Sequence, residues 1–183
     1  MYFDEDLALD IRLNTLNKYV DQFIIAEATI DHAGNKKKLN FDIKNFIKFK
    51  DKITYLIIED MPKKVESLRK NWHPAHTRDQ FQRNSLERGY RNFNDDDLIM
   101  ISDIDEIPNP KKISEFKIKN KYACFIQKNF QAKINNLNIT EEKWPGTKIC
   151  QKKFLKSPQW LRNIKTKKRR IWSFYKDKEP QII

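Results

Sequence analysis

The pattern of apolar and polar positions divides the chain into short helices and short strands. Apolar residues three or four positions apart follow an acidic segment at 4–6 and predict a first helix of about four turns; they are Leu9, Leu13, Leu16 and Val20. Three unbroken apolar runs, Phe23–Ala26, Ile53–Ile58 and Leu98–Ile101, show no polar alternation. Such runs are typical of strands covered on both faces, so they predict a parallel sheet.

The segments around these strands predict helices and loops. Residues 77–90 predict a helix, because Pro74 precedes them and Gly89 lies near their end. One face of this helix is apolar and is expected to face the core; it carries Phe81, Leu86 and Tyr90. Arg78, Gln82 and Arg83 are expected to lie on the polar face. Shorter segments predict a helical turn at 45–49, a strand at 122–126, a polar loop at 135–142 and a turn at 144–146. Strands that alternate with helices favour an α/β fold with right-handed parallel crossovers.

Acidic residues follow each of the three apolar runs. Glu27 ends the first, Glu59 and Asp60 follow the second, and Asp103 and Asp105 follow the third. In open α/β sheets, ligands bind beyond the carboxyl ends of the strands. These acids therefore predict the rim of a ligand-binding cleft.

The segment Asp103-Ile104-Asp105 is the candidate metal site. In an extended backbone, residues i and i+2 point to the same side, which would bring the two carboxylates together. Such a pair can share Mg²⁺ or Mn²⁺ and leave positions for phosphate oxygens and water. The alternative is a solvated acidic turn. The apolar run before the pair, and Pro108 and Pro110 after it, favour the metal site.

Composition and charge narrow the class of partner. With 183 residues, 39% of them hydrophobic, the chain is expected to be a single domain with a real core. Lys and Arg total 37 against 25 Asp and Glu, and the net charge of +12 favours nucleotide diphosphates, nucleic acid or an anionic membrane surface. Cys124 and Cys150 lack metal-ligand spacing and indicate a reducing compartment. Neither a long apolar stretch nor a signal peptide is evident, so we expect a cytoplasmic protein, at most peripheral at the inner face of the membrane.

The order of these motifs resembles glycosyltransferase family 17, whose best-known members are β-1,4-mannosyl-glycoprotein β-1,4-N-acetylglucosaminyltransferases. Five segments carry the resemblance: 9–14, 23–27 with His32 and Gly34, 60–62, 82–84 with Gly89, and 102–108. They lie within residues 3–110, and the remainder of the chain matches more loosely. The resemblance implies a GT-A-like α/β fold, with a Rossmann-type, mostly parallel sheet flanked by helices. It also implies that residues 1–183 form a single glycosyltransferase domain that is short at both ends.

The resemblance further implies a reaction and roles for several residues. The reaction is the inverting transfer of a sugar, expected to be N-acetylglucosamine, from a nucleotide-sugar donor such as UDP-GlcNAc to a glycan or glycolipid acceptor. Asp103 and Asp105 resemble the family's metal–diphosphate pair, with Mn²⁺ or Mg²⁺ as the cofactor. Glu27 resembles the acid that contacts the nucleoside, and Arg83 resembles a residue near the donor phosphates or sugar. Asp103, Glu27 and Arg83 are therefore the expected donor-binding residues.

Two parts of the family pattern have no match in this sequence. The chain begins almost at the first helix, so the leading strand expected before it is short or missing. Residues 172–175 carry Ser173 where the family tends to have a histidine that could complete the metal site. The base that takes the proton of the acceptor hydroxyl is also unassigned, and Glu106, Glu141 and Glu142 are the candidates. Either the metal site is completed differently or the chain is a truncated or inactive member.

A function of another class is a basic nucleic-acid-binding protein or a metal-dependent nuclease. The net charge, the basic run 165–170 and the neighbouring aromatic residues Trp160, Trp172 and Tyr175 favour it. No recognisable nucleic-acid-binding motif is present, so nucleic acid is not the expected partner, and the basic run could instead contact anionic lipid. A third alternative is an inactive glycosyltransferase relative that binds a sugar nucleotide without turnover.

Overall fold

The structure, a computed structural model, describes residues 1–62, 73–133, 135–166 and 180–183. The chain divides into two compact units, Met1–Phe93 with Ser157–Gln159 and Asn94–Lys156 with Trp160–Ile183. Within the described ranges, helices are combined with one two-stranded and one four-stranded sheet, so the protein is a mixed α/β structure. The small sheets do not confirm the single, mostly parallel Rossmann-type sheet expected from the sequence.

The first unit contains a pair of parallel strands and several helices. Its elements are α1 (Asp6–Leu16), β1 (Phe23–Ala28), a 3₁₀ helix (Ile43–Lys52), β2 (Ile53–Ile58), α2 (Pro74–Ser85) and α3 (Glu87–Tyr90). Phe23 lies opposite Ile53 in the parallel β1–β2 pair, which confirms these two predicted strands and their direction. Helix α1 buries Leu9, Leu13 and Leu16 and carries Asp6 in its first turn, where a negative charge stabilises the helix dipole.

The predicted helix at 77–90 is two helices, and its buried face differs from the prediction. Helix α2 begins at Pro74 and ends at Ser85, and Gly89 lies inside the short α3 and not beyond it. Leu86 and Tyr90 are buried as expected, and so are the polar side chains of Arg78, Gln82 and Arg83. The expectation that these three face away from the core was wrong, because each of them has hydrogen-bond partners inside the first unit.

The second unit is built on a mixed sheet. The elements that follow α3 are β3 (Leu98–Ile101), two 3₁₀ helices (Pro110–Glu115 and Ile118–Asn120), β4 (Tyr122–Lys128), β5 (Lys143–Gln151), a 3₁₀ turn (Lys152–Phe154), α4 (Pro158–Arg162) and β6 (Gln181–Ile182). The strand order is β3-β5-β4-β6, with β5 antiparallel to both neighbours and β6 parallel to β4. A hydrophobic cluster packs on this sheet, formed by Phe116, Ala123, Phe125, Ile149 and Ile183.

Two predictions about strands in this unit were wrong. Leu98–Ile101 is not a parallel strand buried on both faces: β3 pairs antiparallel with β5, and Leu98 is 44% exposed. An unbroken apolar run does not distinguish these cases, because an outer strand can also be apolar on both faces. Residues 144–146 do not form a turn; they lie inside β5, where Pro145 pairs with Ile126 beside a register shift in β4. The acids predicted to share one rim therefore follow strands of two different sheets.

The described residues contain neither a disulfide nor a helix that is long and apolar enough to cross a membrane. Cys124 and Cys150 are free thiols buried in the second unit. Burial raises the pKa of Cys124 to about 11 and that of Cys150 to about 12, so both thiols stay protonated near neutral pH.

Candidate functional site

The acids that follow β3 lie on a turn. The amide of Glu106 donates to the Asp103 carbonyl at 3.2 Å, and the amide of Ile107 donates to the Asp105 carbonyl at 3.1 Å. The Asp103 side chain is 34% exposed, and Asp105 is an exposed residue. Asp103 and Asp105 therefore belong to a turn and not to the extended backbone expected from the sequence.

An arginine from α4 joins two of these acids. The guanidinium nitrogen Nη2 of Arg162 lies 3.1 Å from Oδ2 of Asp103 and 2.7 Å from Oε1 of Glu106. The Arg162 side chain is only 17% exposed, which makes these contacts stronger than those of a surface ion pair. The guanidinium of Arg162 therefore bridges the carboxylates of Asp103 and Glu106.

Glu106 is the most constrained of the three acids. Its carboxylate accepts hydrogen bonds from Trp144 Nε1 at 2.7 Å and from the Asp103 amide at 3.0 Å, in addition to that from Arg162. Its carbonyl accepts the hydroxyl of Thr147 at 2.9 Å. With its side chain 6% exposed, Glu106 fixes the turn to β5. A carboxylate that already accepts these hydrogen bonds is poorly placed to take the proton from the hydroxyl of an acceptor glycan.

A buried lysine on β5 supports Arg162 from the backbone side. The ammonium of Lys148 donates to the main-chain carbonyl of Arg162, and Lys148 is 4% exposed. Burial lowers the pKa of Lys148 to about 8, since desolvation disfavours the charged ammonium. The end of α4 is thereby tied to the sheet that also carries Thr147.

Glu27, the expected nucleoside contact, is enclosed in the first unit. Its carboxylate accepts the amides of Asn40 at 2.9 Å and Phe41 at 3.1 Å, the hydroxyl of Tyr55 at 2.8 Å, and the ammonium of Lys37. Burial alone would raise the pKa of Glu27, but these hydrogen bonds outweigh it and hold the pKa below its usual value. The structure thus places Glu27 as the anchor of the loop that follows β1.

The polar face of α2 holds the same part of the first unit. Gln82 donates to the Ala26 carbonyl at 3.1 Å, and its side-chain oxygen lies 2.9 Å from Nε2 of His32. Arg78 donates to the carbonyls of Pro62 at 3.0 Å and His32 at 3.1 Å. These contacts account for buried polar residues at positions where the sequence pattern called for a solvated face.

Gly34 lies directly against Arg78. Its φ of +101° belongs to a backbone region that favours glycine, and a Cβ there would stand 2.9 Å from the guanidinium of Arg78. The glycine two positions after His32 therefore has a structural reason, which is the close approach of this loop to α2.

Arg83, the expected donor-phosphate contact, is buried in an ion pair. Its guanidinium meets the Asp79 carboxylate through two contacts of 2.9 and 3.2 Å and also donates to the side chain of Gln159. The neighbouring Asn84 accepts the amide of Gln159 at 3.0 Å. Glu27 and Arg83 are thus both held by contacts within the first unit.

The remaining candidates are exposed or lie outside the described residues. Glu141 and Glu142 are exposed in the segment just before β5, where the Asn129 amide donates to the Glu142 carbonyl at 2.9 Å. Ser173 and Trp172 lie outside the described residues, as does most of the basic run 165–170. Among the residues that are described, no group of three or more His, Cys, Asp or Glu side chains could hold a metal ion.

The first unit also contains a cavity of about 380 Å³ on the β2 side. Its walls include Phe41 and Tyr55, whose ring centroids are 4.5 Å apart, together with Lys50 and Asp42. Because Glu27 binds both the Phe41 amide and the Tyr55 hydroxyl, it also holds two walls of this cavity.

Arg162, Trp144 and Lys148 were not among the residues expected at the site. Arg162 lies 59 positions from Asp103, and nothing in the local pattern links the two. Trp144 was predicted to lie in a turn, so its position on β5, within hydrogen-bond distance of Glu106, was not expected. The one available signal was a lysine, Lys148, between the apolar residues of a strand-like run, which marks a buried charge that needs a partner.

Comparison with known proteins identifies a family whose pattern this chain matches. The family model described as Glycosyltransferase family 17 matches residues 1–145. This range includes Glu27, Arg83 and the turn at 103–106, and it ends before Arg162. No curated protein and no solved structure matches the chain.

Proposed function

The chain belongs to glycosyltransferase family 17, and we propose that it transfers N-acetylglucosamine from UDP-GlcNAc to a glycan or glycolipid acceptor with inversion. The family supports sugar transfer as the class of reaction. The observation that carries the metal–diphosphate part of the proposal is the turn after β3, which holds Asp103 and the exposed Asp105 two positions apart and brings Arg162 to Asp103.

The two aspartates fit a divalent cation of the hard, oxygen-preferring kind. Mg²⁺ and Mn²⁺ accept a shell of one or two carboxylates completed by substrate phosphates and water. Among the described residues, no third His, Cys, Asp or Glu side chain joins Asp103 and Asp105 as a metal ligand, so phosphate and water oxygens would complete the shell. When bound, such a cation would stabilise the negative charge of the leaving diphosphate.

The residues around the turn have separable roles in this proposal. Asp103 and Asp105 would bind the cation, while Glu106 orients the turn through Trp144 and Thr147. The acceptor hydroxyl has to lose a proton, and the exposed carboxylates of Glu141 and Glu142 stay the candidates for that base. Glu27 would act indirectly, by fixing the loop after β1.

The charge of the chain supports two further parts of the proposal. A net charge of +12 favours a diphosphate-bearing donor and allows peripheral contact with an anionic membrane surface. Free, protonated thiols at Cys124 and Cys150 suit a reducing compartment, so we propose a cytoplasmic protein that reaches the inner face of the membrane.

A thermal-shift screen of nucleotide sugars, with and without Mn²⁺, tests this function. We expect UDP-GlcNAc to raise the melting temperature only when Mn²⁺ is present, because ligand and metal bind the folded state together. Stabilising donors are then tested for transfer to a panel of glycan acceptors and for slow hydrolysis. Stabilisation by an oligonucleotide and by no nucleotide sugar would contradict the proposal, and donor binding without any turnover would identify an inactive family member.

A further inference from the structure

The contact between Arg162 and the turn is asymmetric. Nη2 of Arg162 is 2.7 Å from Glu106, whose side chain is 6% exposed, and 3.1 Å from Asp103, whose side chain is 34% exposed. Glu106 is also fixed by Trp144, whereas Asp103 lies closer to solvent. Of the two carboxylates, Asp103 is therefore the one that Arg162 can release.

The contact also places a positive charge where the aspartates would hold a cation. A guanidinium beside Oδ2 of Asp103 occupies one face of that carboxylate and repels a second cation. In the protein without donor, Arg162 thus opposes metal binding at Asp103. This opposition is absent once the guanidinium turns to another anion.

A diphosphate is the anion that the side chain suits best. A guanidinium carries five N–H donors in a planar fork that matches phosphate oxygens, so one arginine can serve a carboxylate and a phosphate together. Both carboxylate contacts of Arg162 are made through a single nitrogen, Nη2. The carbonyl of Arg162 is held by Lys148, and Trp160 packs edge-on against Tyr122 at 5.3 Å, so these contacts fix the backbone from which the guanidinium extends.

We propose that Arg162 binds the diphosphate of the donor and, until the donor arrives, holds Asp103 in an ion pair that weakens metal binding. This inference rests on the proposed function, since it requires a diphosphate-bearing donor. Arg162 keeps its contact with Glu106 in both states. Metal and donor therefore bind together, because the donor removes the guanidinium from Asp103.

Calorimetry on the full chain tests the inference with Mn²⁺ alone and with UDP in the presence of Mn²⁺. We expect Arg162→Gln to bind Mn²⁺ alone about 3- to 10-fold more tightly, because the competing charge is gone. The same variant should bind UDP at least about 10-fold more weakly, through loss of a charge-assisted hydrogen bond. Arg162→Lys, which keeps the charge but not the fork, should recover part of the UDP affinity.

Arg88→Gln is the matched control, because Arg88 forms a two-contact ion pair with the exposed Asp60 at 2.9 and 2.7 Å. It should change neither affinity. If Arg162→Gln binds both Mn²⁺ and UDP as the parent does, with only a lower melting temperature, Arg162 is a structural residue and the inference is overturned while the proposed function stands. If the parent itself binds no UDP or UDP-sugar with Mn²⁺, the proposed function fails, and the inference fails with it.

Discussion

The hydroxyl of Tyr55 in β2 donates to the buried carboxylate of Glu27 in β1 at 2.8 Å. The ammonium of Lys37 and two main-chain amides complete the set of donors around that carboxylate. A fully buried charge with this many partners is stabilising only as long as the partners stay in place. Glu27 therefore ties the two parallel strands to the loop after β1.

The first prediction concerns the stability of this network. We expect Glu27→Gln to lower the free energy of unfolding by about 2–4 kcal/mol, because it leaves Lys37 and backbone amides without their charged acceptor. Urea unfolding at neutral pH measures the loss. Glu59→Gln, which changes an exposed acid just after β2, is the control and should cost under about 0.5 kcal/mol. Equal stabilities for the two variants would show that the network contributes little.

The same carboxylate predicts an acid-dependent loss of stability. Its pKa in the folded protein is lowered, whereas in the unfolded chain it should be about 4.3. The stability that Glu27 contributes is therefore fully present above the unfolded value and is lost as the pH falls toward the folded value. Unfolding measured from pH 6 down to pH 3 should show a steeper loss for the parent than for Glu27→Gln. Parallel curves would contradict the ion pair.

The third prediction concerns Arg83. Its bidentate contact with Asp79 is largely buried, so we expect Arg83→Ala to lower the free energy of unfolding by about 3 kcal/mol. A double-mutant cycle with Asp79→Ala should give a coupling energy of at least about 1 kcal/mol. The donor contact expected from the sequence stays a prediction, and the same variant tests it: weakening of donor binding by about 1.5–3 kcal/mol would support it. Unchanged donor affinity with lost stability would make Arg83 structural.

The fourth prediction uses the buried Lys148. Its pKa of about 8 in the folded protein is below the unfolded value of about 10.4, so the unfolded chain binds more protons between these pH values. The parent should therefore gain stability relative to Lys148→Met as the pH rises from 8 to 10. The exposed Lys128→Met in β4 is the control and should show a constant difference from the parent. A constant difference for Lys148→Met as well would place its titration elsewhere.

The fifth prediction concerns the packing of α3 on β1. A Cβ at Gly89 would lie 2.6 Å from Cγ2 of Ile24, closer than packed atoms allow. We expect Gly89→Ala to lower the free energy of unfolding by about 1–3 kcal/mol, measured by urea unfolding. Adding Ile24→Ala should recover part of that loss by removing the clash. Additive losses in the double variant would show that Ile24 is not the obstacle.

The sequence was sufficient to predict those helices and strands whose signals come from neighbouring residues. The spacing of Leu9, Leu13, Leu16 and Val20 predicted α1, although the helix ends at Leu16 and does not reach Val20. The runs that begin at Phe23 and Ile53 predicted two strands that are indeed parallel. The family also followed from motif order. These signals are carried by neighbouring residues and by turn chemistry, which the tertiary structure did not override.

The remainder depended on contacts between distant residues. The direction and exposure of β3 are set by β5, which lies about 50 residues later, so the apolar run alone could not determine them. The buried polar face of α2 follows from the carbonyls that Arg78 and Gln82 reach. Arg162 joined the candidate site only through the fold, which is why the pattern around Asp103 did not indicate it.

The coupling between Mn²⁺ and UDP, measured by calorimetry on the parent and on Asp103→Asn with Asp105→Asn, tests the central claim most directly. The account predicts weak binding of Mn²⁺ alone, binding of UDP at least about 10-fold tighter with Mn²⁺ present, and loss of that gain in the double variant. The melting temperature of the double variant should stay close to that of the parent, because an amide oxygen at position 103 still accepts a hydrogen bond and Glu106 keeps its contact with Arg162. Binding of UDP with Mn²⁺ by the double variant as tightly as by the parent would contradict the account.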